Sequence, residues 1–370
     1  SGVGGVQRNF SEYMKLEIIS DNEYRHTIYT LGRVDDQYQF STNILNILEL
    51  RNLVSLIFDL ISKSKIVHFY NNLTSLKVAI FLFFIPVKKL IVHERGSAWN
   101  LSSKRGFILK FIVWKSDLVL ANSMATKALI EKKFGISKNK IKVIHNGVNT
   151  SIRLKKKSLE NEKTFFIGFI GRLDTPKGVH ILISAMHNLK YENIKLIIAG
   201  DGPLKQDLAN KARNLKNIQF IGRVSDPYKF FNTISLLVVP SIREPLGNVC
   251  LEAGLYRVPV LAANVDGLPE IIENKISGEL IDATEEISIN TVQGAISLPE
   301  FVVNPVKGDL SAPKQINPFI LAKRILKLSY QDDKLKYYSD ELNKKVKNKF
   351  SIDRYRRELH KMYREIDIKG

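Results

Sequence analysis

Cysteine is nearly absent from the 370-residue sequence, which has only Cys250. A lone thiol excludes an intrachain disulfide framework and any multi-cysteine zinc site, so a reducing compartment is the natural expectation. Set among apolar neighbours, Cys250 reads as a small core residue rather than a nucleophile. Long hydrophobic runs are missing as well. A membrane-spanning helix needs about 18 to 20 apolar residues, and the longest candidate, VAIFLFFIPV at Val78 to Val87, stops far short. It is read as a buried element. The opening SGVGGVQRNF has neither the charged nor the apolar segment of a secretory signal, and a cytoplasmic location is expected. Acidic residues are scarce, 37 against 56 lysines and arginines, leaving a net charge of +19 that the two halves share almost evenly. Such an excess attracts polyanions, whether nucleic acid, anionic lipid headgroups or phosphorylated substrates.

A hydrophobic content of 44% and a charged content of 25% are those of a globular protein, and the length suits two domains. Short apolar runs alternate with helical patterns. In the first half these are HTIYTL (His26 to Leu31), KIVHFY (Lys65 to Tyr70), KKLIVH (Lys88 to His93), DLVLAN (Asp117 to Asn122) and IKVIHN (Ile141 to Asn146). Helical spacing runs between them over Ile44 to Ile61 and Ala125 to Phe134. After the basic, polar linker Asn149 to Lys163 a second series follows: FFIGFIG, IKLIIAG, IQFIG, SLLVVP and VPVLAA. Continuous apolar strands separated by helices imply parallel sheets covered on both faces, so the expected fold class is α/β with two doubly wound domains. Residues 287 to 315 break the alternation and read as an inserted loop or small hairpin.

Ligands of such sheets bind beyond the carboxyl ends of the strands, so the residues just after each strand are the informative ones. GRLDTPKG puts Arg172 and Lys177 ahead of a helix expected near Gly178. Two cations beside unpaired helix N–H groups suit a pyrophosphate, although ordinary solvated cations have the same pattern. The early glycines Gly2, Gly4 and Gly5 also precede a helical pattern and would let backbone approach a phosphate, or form a plain loop. VHERGSAWN gathers His93, Glu94 and Arg95 after a strand; His93 is either a satisfied hydrogen-bonding residue or a catalytic one. In SIREPLGNVCLEAG, Glu244 precedes a helix expected near Gly247 and Glu252 lies inside it. Such carboxylates are either exposed groups well placed for the helix dipole or acceptors for sugar and ribose hydroxyls.

Together the glycine pair, HER, IHNGV, GRLDTPKG, GDGP, FIGRV and above all REPLGNVCLEA resemble glycosyltransferase family 4, retaining sugar transferases of the GT-B fold. The resemblance implies two Rossmann-like domains facing each other across a cleft: residues 1–150 on the acceptor side, residues 164–350 binding the nucleotide sugar, and a terminal helix, 351–370, packing back toward the first domain. The family's first strand is expected to be missing, since the sequence starts on the glycine loop. Arg172 and Lys177 would hold the donor diphosphate, and Glu252 the nucleotide ribose. Glu244, with the backbone near Gly247, Asn248 and Val249, would hold the donor sugar. Arg223 and Val224 would meet the base, Gly4 and Gly5 the phosphate, and His93 the anomeric centre. The donor would be a UDP or GDP sugar. No cofactor and no metal are implied, in keeping with the lack of an Asp-x-Asp signature in the candidate loops.

The acceptor expected from the resemblance is a glycan or lipid-linked intermediate of bacterial surface polysaccharide synthesis (lipopolysaccharide, O-antigen or capsule). SSKRGFILKFIVWKSD, Ser102 to Asp117, interleaves four cations with a strongly apolar helix. It reads either as a peripheral contact with the anionic cytoplasmic face of the inner membrane or as a core helix with exposed lysines. A nucleotide-sugar epimerase or hydrolase on the same fold stays open. A nucleic-acid-binding protein is disfavoured, because nothing resembles a recognition helix or an aromatic binding sheet.

Overall fold

The computed structural model describes residues 5–19, 23–31, 44–70, 73–151, 164–289 and 292–369. Gly2 and Gly4, and most of the linker Asn149 to Lys163, lie outside them. Two compact units emerge, one made of Ser1–Thr150 with Phe350–Gly370 and the other of Ser151–Lys349.

In the first unit the strands Val67–Tyr70, Leu90–Glu94, Leu118–Ala121 and Ile141–Val143 form a parallel sheet in sequential order. The two central strands are buried along their whole length, which is why they carry unbroken apolar runs. Ser123 caps the helix Met124–Phe134 by accepting from the Thr126 amide at 2.9 Å, and Gly135 closes it at φ 64°. One face of the sheet is covered by the helices Gly5–Ile19 and Ile352–Lys369. The latter offers Ile352, Tyr355, Leu359, Met362, Tyr363 and Ile366, a three-and-four spacing that turns them all inward. Polar contacts fasten the same two helices. Burial pushes the Glu17 carboxyl up, yet hydrogen bonds from His26, His360 and Arg356 outweigh it and hold the group well below the usual carboxylate range.

Two expectations fail here. The helical spacing of Ile44 to Ile61 yields a helix only over Leu50–Ile61, while Ile44–Asn46 is a strand parallel to Ile28–Thr30. Cross-strand pairing overrides the local pattern in so short a segment. Nor is VAIFLFFIPV buried throughout. It forms the helix Leu76–Phe84, capped by Ser75, which buries Val78, Ala79 and Leu82 but leaves Phe83 and Phe84 63% and 75% exposed. Among the described residues, no helix is long and apolar enough to cross a membrane.

The second unit holds a six-stranded parallel sheet. Its spatial order is Glu279–Ile281, Val260–Ala263, Leu236–Val239, Phe165–Ile170, Ile194–Ala199, Ile218–Gly222. The chain thus winds outward from Phe165–Ile170 in one direction, returns to that strand's other side with Leu236–Val239, and winds outward again. Leu236 pairs with Ile167 at this reversal. Residues 287 to 315 include a two-stranded hairpin, Val302–Val303 with Leu310–Ser311. Pro318 at the first turn and Asn317 as cap start the helix Pro318–Leu328, and Asp332–Lys349 follows.

Candidate active site

The reversal of strand order is where open α/β sheets receive ligands. The two loops that leave it are 171–178, after Phe165–Ile170, and 240–247, after Leu236–Val239. They touch directly: the amide of Ile242 donates to the Pro176 carbonyl at 2.9 Å. Glycine is required for that approach. Gly178 has φ +67°, and a Cβ there would sit 2.0 Å from the carbonyl oxygen of Pro240. Gly247, at φ +99°, turns the second loop into the helix Asn248–Leu255.

These contacts bring Lys177 and Glu244 together, with Arg172 at the start of the loop that carries Lys177. Lys177 donates from Nζ to Glu244 Oε2 at 2.6 Å, and Ser241 Oγ donates to the same oxygen at 3.2 Å. Arg172, with its side chain more than half exposed, donates from Nε to Asp174 Oδ2 at 2.7 Å. The other oxygen of Asp174 accepts from the amides of Thr175 and Ile296, at 2.9 and 2.7 Å. Glu244 is itself held from behind. Its amide donates to Asp266 Oδ2 at 2.9 Å, and the Val303 amide donates to Asp266 Oδ1 at 2.7 Å. Burial pushes the Asp266 carboxyl up to about 7 against the pull of those two amides and Arg243.

Residues 292–311 are therefore pinned to both loops through two buried aspartates. Sequence reasoning missed Asp174 and Asp266, since neither stands in a periodic pattern and their partners lie 122 and 37 residues away. Asn248, Val249 and half-buried Glu252 occupy the first turns of the helix after Gly247. Cys250, on the same helix, is fully buried and its thiol is pushed well up by burial, which makes it an inert core group. Arg223 and Val224 follow Ile218–Gly222, with Arg223 Nε 3.4 Å from Asp201 in the GDGP loop.

In the first unit, His93 is fully buried on the strand Leu90–Glu94. The two residues after it serve the scaffold. Glu94 accepts from the amides of Gly96 and Ala98 at 2.6 and 2.9 Å, and Arg95 bridges Asn9 to Asn146. Gly5 begins the helix Gly5–Ile19.

Two family models match the chain, Glycosyltransferase Family 4 over residues 22–152 and Glycosyl transferases group 1 over residues 151–300. The chain belongs to glycosyltransferase family 4. This family 4 chain is similar to an uncharacterised 41.2 kDa protein in the cps region of Klebsiella pneumoniae, at 29% identity over 78% of the chain and 86% of that protein. It is similar also to the capsular polysaccharide biosynthesis glycosyltransferase CapM of Staphylococcus aureus, at 28% identity over 66% of the chain. The match spans only 60% of CapM. The Anabaena protein HepE (Alr3699), solved in complex with UDP-glucose, superposes with a TM-score of 0.74 at 19% identity, covering 98% of this chain and 97% of its own. That likeness shows the GT-B fold, with its two parallel α/β sheets.

Proposed function

We propose that the protein moves a sugar from a nucleoside diphosphate sugar of the UDP type to a glycan or lipid-linked acceptor of bacterial surface polysaccharide synthesis, with retention of configuration. The observation that carries this reading is the contact of Lys177 with Glu244 at the reversal of the second sheet, just ahead of the helix Asn248–Leu255, with Arg172 on the same loop as Lys177. Two cations and a helix amino terminus meet the charge of a departing diphosphate. Glu244 and the amides at Gly247, Asn248 and Val249 take the donor sugar, Glu252 the ribose, and Arg223 with Val224 the base. His93 serves the sugar near its anomeric carbon, and the backbone of Gly4 and Gly5 serves the phosphate.

In the reaction the bond from the anomeric carbon to the diphosphate oxygen breaks, and a bond to the acceptor oxygen forms on the same face. The acceptor's hydroxyl proton passes to the departing diphosphate. No side chain needs to form a covalent intermediate. Lys177 and Arg172 stabilise the developing dianion, and Glu244 orders the sugar hydroxyls.

The membrane-facing part of the reading rests on the first unit. Phe84, Phe83, Phe111 and Trp114 follow one another with ring centroids 5.1, 6.0 and 5.8 Å apart, across the packed helices Leu76–Phe84 and Gly106–Lys115. Lys104, Arg105 and Lys110 lie exposed on the second of these and its approach, and Lys115 stands over Trp114. Aromatic rings flanked by lysines suit an anionic bilayer surface, the place where a lipid-linked acceptor is found.

A panel of UDP-, GDP- and dTDP-sugars tests the donor, read as thermal stabilisation and as nucleotide release with and without a polyprenyl-linked glycan. One UDP-sugar should stabilise the protein and turn over only when acceptor is present. Release at the same rate without acceptor would make the protein a hydrolase, and stabilisation by no member of the panel would overturn the reading.

A further inference from the structure

His93 does not stand alone on its sheet. In the parallel register Tyr70 lies opposite His93 and His68 opposite Ile91, so the period of two along each strand turns His68, Tyr70 and His93 to one face. The imidazoles of His68 and His93 stack at 5.4 Å between centroids and 15° between planes. His68 Nε2 is 3.3 Å from His93 Nδ1, and His68 Nδ1 is 2.8 Å from the hydroxyl of Tyr363, on the last helix. His93 Nε2, at the end of this row, is buried and has no hydrogen-bond partner among the described residues.

The order of protons along the row follows from elementary chemistry. A phenol gives up its proton more readily than a neutral imidazole N–H, and an imidazole nitrogen is a far better acceptor than a phenol oxygen. Tyr363 therefore donates to His68 Nδ1. With that nitrogen accepting, a neutral His68 carries its proton on Nε2 and donates to His93 Nδ1. A neutral His93 must then carry its own proton on Nε2.

Both rings are held neutral. Burial lowers His68 to about 3 and His93 well below the usual histidine range, and the Arg95 charge beside them acts in the same direction. Burial also keeps the Tyr363 proton in place by pushing that phenol well up.

We propose that Tyr363 and His68 are positioning residues that fix His93 as the Nε2–H tautomer, so that His93 offers a bound sugar a hydrogen-bond donor and never a base. This deepens the reading of His93 as a sugar contact and rests on it, but the tautomer itself is measurable without any turnover. A buried N–H with no partner is costly to keep, and an acceptor oxygen of the donor sugar would satisfy it.

Long-range ¹H–¹⁵N correlation spectra of the full chain read the tautomer directly, with the His93 signals assigned by their loss in His93→Gln. In the wild type they should show a pyridine-like Nδ1 and a pyrrole-like Nε2. Tyr363→Phe deletes one oxygen and keeps the packing. It should give a mixture of tautomers at His93 and lower kcat about tenfold, with the KM for the sugar nucleotide nearly unchanged. His68→Gln, whose amide can still donate to Nδ1, should retain the wild-type tautomer, whereas His68→Phe should lose it. A pyrrole-like Nδ1 in the wild type, or an unmixed tautomer in Tyr363→Phe, would overturn the proposal. A protein that turns over no nucleotide sugar would leave the spectra readable and would count against the proposed function alone.

Discussion

The ammonium of Lys177 lies 2.6 Å from Oε2 of Glu244, and this contact joins loops 67 residues apart in sequence. The carboxylate keeps the lysine in place at the strand reversal. A diphosphate arriving there takes a share of the lysine and meets a negative charge nearby.

Lys177→Ala should weaken UDP binding by about 1.5 to 3 kcal/mol, roughly ten- to a hundredfold, since it removes a charge-assisted bond and leaves Glu244 facing the phosphates unopposed. Glu244→Gln should bind UDP at least as tightly as the wild type and yet transfer no sugar. Calorimetric titration separates the two; equal losses of UDP affinity would contradict separate duties for phosphate and sugar.

Asp266→Ala should destabilise the fold by about 2 kcal/mol or more, because the amides of Glu244 and Val303 are left buried without an acceptor. Denaturant unfolding measures it. A change under about 1 kcal/mol would mean that solvent or a neighbour replaces the carboxylate.

His180 is buried and bonds through Nε2 to Gln315 at 3.1 Å, with burial lowering it to about 4. A base whose folded value lies below its unfolded one adds stability above about pH 6.5, and that stability is lost as the pH falls toward 4. The whole contribution is on the order of 3 kcal/mol. The difference in melting temperature between the wild type and His180→Leu should therefore shrink, in the wild type's disfavour, from pH 7 to pH 4.5. A difference independent of pH would show that His180 titrates normally.

Phe83→Ser with Phe84→Ser should abolish flotation with phosphatidylglycerol-containing vesicles while leaving the donor-induced thermal shift intact. Lys110→Glu with Lys115→Glu should weaken it by about 2 kcal/mol or more, a loss that added salt reproduces in the wild type. Undiminished flotation of the phenylalanine variant would remove these rings from the membrane contact.

Most of the strands were legible because a strand buried on both faces must be apolar without interruption, as in Leu118–Ala121 and Leu236–Val239. The loops carrying Arg172, Lys177 and Glu244 were legible for a related reason, since they follow such strands. Asp266, His68 and Tyr363 were not. Their roles exist only through partners brought in by the chain's return: a hairpin amide for Asp266, a neighbouring strand for His68 and the last helix for Tyr363. Phe83 and Phe84 were misread because an apolar run gives no sign of whether protein or something else covers it.

Because Phe350–Gly370 completes the first compact unit, the second is an internal cassette bounded by Ser151 and Lys349. An exchange of donor preference between relatives should graft that interior stretch as one block and keep both ends of the recipient chain. The familiar cut into a front and a back half would separate Tyr363 from His68 and Arg356 from Glu17. Such hybrids should fail through the half that was left untouched.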